Sequence, residues 1–292
     1  MSTILVTAAT GNVGSALVPL LQGLGADVRA LVRDPARAER LTGVDVAVGD
    51  FADPTSLHTA LDGVDAVFLA CGNVPDQVEH ECAVIDAAAR AGVRRIVKLS
   101  ARGAELGAPV AYWHWHALVE RRLQASGVPA VTLRPGFLMS NLLGAADQVR
   151  HARMLFAPAA DARIAMVDPA DVAAVAAVTL TTDGHDGVTY ELTGPAALGY
   201  QEVARDLAAV TGRDVGYVDI PPAAARSAMV EAGLPPFAAD QVVAVFAELR
   251  AGVQARTTDA VPALTGRPAR PFAAFARDHA DAFRAHEPAP VH

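Results

Sequence analysis

The first 135 residues alternate short apolar runs with amphipathic stretches, joined by a few turn residues, and that rhythm leaves few folds open. Strands linked through helices run parallel, and a parallel sheet has to be covered on both faces. Apolar runs predict strands at residues 3–6, 28–32, 44–47, 66–70, 96–99 and 130–133. Helical spacing fills the gaps at 13–24, 35–41, 55–61, 78–91 and 111–126, with Pro54 opening one helix and Gly92 and Gly127 closing two others. Six strands in this order make an α/β doubly wound parallel sheet, whose ligand crevice lies beyond the strand C-terminal ends.

After Pro135-Gly136 the rhythm changes. Residues 164–167, 189–192 and 215–220 read as strands, helices are expected from Pro169 and over 201–210, and the rest to Phe283 is Ala-rich helical sequence interrupted by Pro235-Pro236, Gly252 and Pro262. The expected division is a nucleotide-binding domain over 1–155, with room for a later strand to return to its sheet, and a smaller α/β lobe, mostly helical, over 156–292 that supplies substrate contacts.

Composition narrows the function classes. With 52% hydrophobic and 19% charged residues the chain reads as well-buried and globular. No apolar stretch of about 18 residues and no basic-then-apolar start is present, so membrane insertion and secretion are not expected, and the cytoplasm is the expected location. A net charge of −8 without a Lys/Arg stripe argues against nucleic acid. Cys71 and Cys82 are the only cysteines and read as free thiols.

The residues with chemistry gather at the strand ends. Thr7-Ala8-Ala9-Thr10-Gly11-Asn12-Val13-Gly14 passes from strand to helix through small residues, leaving backbone N–H groups for a phosphate; Ala8 stands where the dinucleotide fingerprint has its first glycine. Arg33, at the end of the second strand, offers a planar cation suited to a ribose 2′-phosphate and favours NADP(H) over NAD(H); the competing reading makes it a solvated arginine with Asp34 as the ribose ligand. Asp50 and Phe51 after the third strand, Ala70, Cys71 and Gly72 after the fourth, and Pro135, Gly136 and Phe137 after the sixth share that rim and are expected to border the cofactor. Trp113, Met139 and Asn141 are candidates for substrate contact.

For carbonyl reduction, Ser100 would hydrogen-bond the oxygen while Tyr112 delivers the proton, and His116 one turn further on would replace a cation that lowers the phenol pKa. The plainer reading packs Trp113 in the core and pairs His116 with Glu120 as ordinary helix neighbours.

The chain resembles the NmrA-like branch of the atypical short-chain dehydrogenase/reductases, particularly its quinone-oxidoreductase-like members. The likeness rests on residues 6–14, Leu31-Val32-Arg33-Asp34-Pro35, Lys98-Leu99-Ser100, His116 with Glu120, Leu133-Arg134-Pro135-Gly136-Phe137 with Asn141, Asp168-Pro169-Ala170-Asp171-Val172, Tyr190-Glu191-Leu192-Thr193-Gly194-Pro195 and Leu264-Thr265-Gly266-Arg267-Pro268. This resemblance implies a Rossmann-type fold with NADP(H) in a cleft beside a small C-terminal lobe, pyrophosphate on Thr10 to Gly14 and the 2′-phosphate on Arg33. It also puts His116 where related reductases carry a catalytic lysine. The leading expectation is an NADPH-dependent reductase of a quinone-like or conjugated carbonyl compound by direct hydride transfer. The alternatives are a non-catalytic NADP(H) redox sensor with a protein partner, and a biosynthetic carbonyl or imine reductase. A small-molecule substrate, no metal, and a monomer or homodimer complete the expectation.

Overall fold

The computed structural model describes residues 2–284. Seven strands form one parallel sheet: β1 (Thr3–Val6), β2 (Asp27–Val32), β3 (Asp45–Val48), β4 (Ala66–Leu69), β5 (Arg95–Leu99), β6 (Ala130–Pro135) and, after a long excursion, β8 (Thr189–Leu192), in the spatial order β3-β2-β1-β4-β5-β6-β8. All six strands expected in the first half are present. The chain builds outward from β1 through β2 to β3, then returns to place β4 on the other side of β1. Because such crossovers are right-handed, this reversal puts α1 (Gly14–Gly23), which links β1 to β2, on one face. It puts α3 (Gln77–Ala91) and α4 (Ala111–Ala125), which follow β4 and β5, on the other. The crevice between β1 and β4 is the switch point at which such sheets bind ligands.

Burial explains the pattern of residues. Leu5, Val67, Leu69 and Ile96 pack with Leu57 and Leu61 of α2 (Pro54–Leu61) and with Val84, Ile85, Val119 and Leu123 of α3 and α4. On the opposite face α1 packs against α5 (Pro169–Thr181), whose Val172, Val175 and Ala176 are fully buried. Thr7 ties the switch point together: its hydroxyl shares one proton between the carbonyls of Phe68 (3.0 Å) and Ala70 (2.8 Å) and accepts from the Ala70 N–H (2.7 Å).

Two compact units result, and neither is continuous in sequence. The first holds residues up to 136 with 169–192 and 259–268; the second holds 137–168 and 193–258 with the segment from 269 onward. The boundary expected at 155/156 lies elsewhere: the chain leaves the first unit at 136, while β8, the later strand for which the expectation left room, returns to it together with its preceding helix.

The second unit carries a two-stranded parallel sheet of β7 (Met154–Ala157) and β9 (Gly216–Asp219). With α6 (Tyr200–Thr211) and the helices at 236–250 and 272–278 these elements enclose Leu155, Val203, Leu207, Phe246, Phe272 and Phe275. Residues 164–167, expected as a strand, form only isolated bridges, Ile164 to Leu198 and Val167 to Leu138. That run is apolar because it is fully buried, not because it lies in a ladder.

Candidate active site

The site begins at the turn from β1 to α1. Gly14 is sterically obligatory: a Cβ there would sit 2.2 Å from the Ala8 carbonyl oxygen and 2.9 Å from the Ala9 Cα. Gly11 is less confined, with the nearest such contact at 3.2 Å. Ala8 itself holds φ +47°, the left-handed conformation that glycine would supply, so the methyl departs from the fingerprint without changing the backbone path. No side chain caps α1, and among the described residues no hydrogen bond engages the Val13 or Gly14 N–H, whereas the Gly11 N–H is used by Ala8 O (2.9 Å). Thr10, Gly11 and Asn12 are exposed. An uncapped helix start on an exposed small-residue turn fits a pyrophosphate.

At the end of β2, Asp34 Oδ1 accepts from the Ala36 N–H (3.0 Å) and caps the short helix over Pro35–Arg40. Arg33 is exposed, and no ion pair or hydrogen bond engages its guanidinium among the described residues. The geometry thus favours Arg33 over Asp34 as the group open to a ligand. Asp50 is exposed and turns one carboxylate oxygen onto the Ala52 N–H (2.9 Å), while Phe51 packs edge-on to His80 of α3. After β4, a Cβ on Gly72 would meet nothing within 4 Å, so the space beside this turn is open. Beside it, burial pushes the Cys71 thiol up to about 11. Pro135 lies inside β6, and the Gly136 N–H donates to Leu192 O (2.9 Å).

Four sequence expectations need correction. Thr7 is fully buried with its hydroxyl spent on β4, so its side chain holds the sheet rather than the cofactor. Trp113 is 6% exposed and its ring lies under Gly103, where a Cβ would come within 2.6 Å of it; it fills the core instead of touching substrate. Met139 is 1% exposed within the core of the second unit, so it does not line an open pocket, while Asn141 is exposed on that unit. Ser100 gives its single proton to Glu120 Oε1 (2.5 Å), which leaves none for a substrate oxygen in this arrangement. Phe137 is half-buried, its N–H held by the Gln254 side chain (2.6 Å).

The helix face of Tyr112, His116 and Glu120 divides into different environments. Glu120 accepts a bidentate pair from Arg134 (2.9 and 2.5 Å) as well as the Ser100 hydroxyl, so it is not the partner of His116. Tyr112 is half-buried and packs edge-on to Trp115, and burial raises its pKa, the wrong direction for an acid near neutrality.

His116 is 7% exposed, and its Nδ1 lies 3.2 Å from Lys98 Nζ and 3.3 Å from Gln77 Nε2. Lys98 in turn pairs with Glu81 Oε1 at 2.7 Å, both side chains fully buried, and Gln77 donates to Glu81 Oε2 at 3.1 Å. Burial first, then the charges of Lys98 and Arg134, hold the imidazole well below the ordinary histidine pKa. Gln77 Oε1 is buried without a hydrogen-bond partner, an acceptor that a bound N–H donor or water would satisfy.

The Gln77–Glu81–Lys98 cluster escaped sequence reasoning, although one signal was present. A lysine inside the apolar strand Arg95-Ile96-Val97-Lys98-Leu99 of a doubly covered sheet cannot be solvated and must have a buried partner.

Residues 1–256 match the model of the NmrA-like family. The chain belongs to that family. It is 42% identical over 284 residues to an NAD(P)H azoreductase of Xenophilus azovorans, covering 97% of this chain and 99% of the relative. A (4-alkanoyl-5-oxo-2,5-dihydrofuran-3-yl)methyl phosphate reductase of Streptomyces griseus is also 42% identical, over 96% of this chain and 99% of its own. Among solved structures, the NADPH complex of the NADPH-dependent quinone oxidoreductase of Escherichia coli superposes with a TM-score of 0.86 at 30% identity, covering 93% of this chain and 98% of that one. The NmrA-like fold expected from the sequence is thus the fold observed.

Proposed function

We propose that this NmrA-like protein is an NADPH-dependent reductase of planar, conjugated acceptors, quinones and azo compounds foremost. The observation that carries the reading is the pairing of an uncapped α1 start with the unengaged Arg33 guanidinium on the same sheet rim. The first would hold the pyrophosphate through backbone N–H groups and the second the ribose 2′-phosphate. The named activities of the relatives, on azo, quinone and conjugated carbonyl compounds, supply the acceptor class.

Bound NADPH supplies the hydride, so that quinone plus NADPH plus one proton gives hydroquinone plus NADP⁺. The chain's part is to orient the acceptor and polarise it. Tyr112 and Ser100 are poorly prepared for proton delivery, one raised in pKa and the other committed to Glu120. A quinone tolerates this, because its reduced oxygens take protons from water.

Loss of nicotinamide absorbance is to be followed with a panel of quinones, azo dyes and enones, with NADPH against NADH. Turnover preferring NADPH is expected. Background rates across the panel refute the reductase reading, and different affinities for NADP⁺ and NADPH without turnover would favour a redox sensor instead.

A further inference from the structure

The buried cluster around His116 is larger than hydride transfer needs, and its donor pattern is restrictive. The Lys98 ammonium donates to Leu99 O at 2.5 Å, lies 3.2 Å from His116 Nδ1 and is held by charge against Glu81 Oε1 at 2.7 Å, an oxygen that accepts no hydrogen bond. An ammonium donates and cannot accept, so the imidazole nitrogen facing it carries a lone pair. Gln77 agrees, because its amide N–H₂ group reaches both Glu81 Oε2 and the same Nδ1; turned over, its oxygen would face the Glu81 carboxylate. Among the described residues no hydrogen bond engages Nε2 of His116.

We propose that Lys98, anchored by Glu81, is a positioning residue that locks His116 as the neutral imidazole with its proton on Nε2. His116 is then a standing hydrogen-bond donor for an acceptor oxygen or azo nitrogen, rather than an imidazolium that surrenders its proton. The charged groups around the ring fit this state. Lys98 from β5 and Arg134 from β6 repel a second proton, Glu81 of α3 is committed to Lys98, and Glu120 on the ring's own helix is committed to Arg134 and Ser100. His116 occupies the α4 position where the resemblance puts a lysine, and a cation, Lys98, reaches that histidine from the sheet. Use of the Nε2 proton on substrate rests on the reductase reading; the state of the ring does not.

Two measurements separate those claims. Nitrogen-15 NMR of the histidine-labelled full chain, assigned through His116→Gln, should show the neutral Nε2–H form of His116 from about pH 5.5 to 8, across the ordinary histidine range. In Lys98→Met/Glu81→Gln, which removes both buried charges together and so avoids an orphaned ion, Gln77 can turn to accept from Nδ1, and a mixture of tautomers should appear. With a quinone acceptor that variant should lose roughly tenfold in kcat/KM and gain pH dependence, while NADPH affinity stays within about twofold. An Nδ1–H or ordinarily titrating ring in the parent, or an unchanged ring in the double variant, overturns the proposal. If the NMR result holds and no acceptor is turned over, the lock stands and the reductase reading falls.

Discussion

Replacing Gly14 by alanine tests the cofactor turn at its tightest point. The added Cβ would stand 2.2 Å from the Ala8 carbonyl oxygen, with the Ala8 carbon and Ala9 Cα each at 2.9 Å. Ordinary contact needs roughly 1 Å more, and all three obstacles are backbone, so no side chain can swing away. Either α1 moves off β1 or the turn that would hold pyrophosphate opens. Overpacking of this kind costs about 3 kcal/mol, which for a chain of this size lowers Tm by roughly 6 °C. A cradle displaced by that distance should weaken NADPH binding at least about tenfold, or ~1.4 kcal/mol.

Two companion substitutions give the scale. Gly11→Ala meets the same oxygen at 3.2 Å and should cost under about 1 kcal/mol. Ala8→Gly releases left-handed strain of about 1 kcal/mol but loosens the unfolded chain by a similar amount, so its net effect is near zero. Thermal melts and fluorescence titration with NADPH read both quantities. A Gly14→Ala protein that melts and binds like its parent, or one less perturbed than Gly11→Ala, would refute the reasoning.

Arg33→Ser should weaken NADPH about tenfold or more and leave NADH nearly unchanged, with no loss in Tm since the side chain is exposed; equal losses for both cofactors in a titration would count against the 2′-phosphate role. Glu120→Ala strands Arg134 and Ser100 and should cost about 3 kcal/mol in urea unfolding, whereas a loss below ~1 kcal/mol would show the pair to be incidental. His116 is held below its unfolded pKa, so the folded state binds fewer protons than the unfolded one. Its contribution is therefore complete above pH 6.5 and lost as pH falls below it, by about 1.4 kcal/mol per unit until the folded ring protonates, a slope that His116→Gln should remove from ΔG measured against pH. With its thiol near 11, Cys71 is thiolate in about one molecule per thousand at pH 8, and iodoacetamide should label it far more slowly in the native protein than in urea.

The sheet was legible because β1 to β6 are apolar runs bounded by turn residues, and helix periods separate them. Segments in the second unit were harder to read. Met154–Ala157 forms β7 although four residues give no period to recognise, and Ile164–Val167 looks like a strand because a buried coil and a buried strand have the same composition. At the candidate site, the exposed Arg33 and the small-residue turn into α1 were visible as local patterns, since each is made by neighbours in sequence. The state of His116 was not. It depends on Lys98 and Glu81, which come from a different strand and helix, and a glutamate on a helix ordinarily signals a solvated face.

The interrupted units constrain how the polypeptide comes to be folded. The chain changes unit at five points, after residues 136, 168, 192, 258 and 268, so no single cut liberates either half. β6 must wait for β8 before its second edge is covered, and the segment 259–268 completes the first unit only after most of the second has been synthesised. On the ribosome the first unit therefore cannot be completed ahead of the second, as consecutive domains are. Exchanging the second unit between relatives would require transplanting three separate segments, 137–168, 193–258 and that from 269 onward, rather than one cassette.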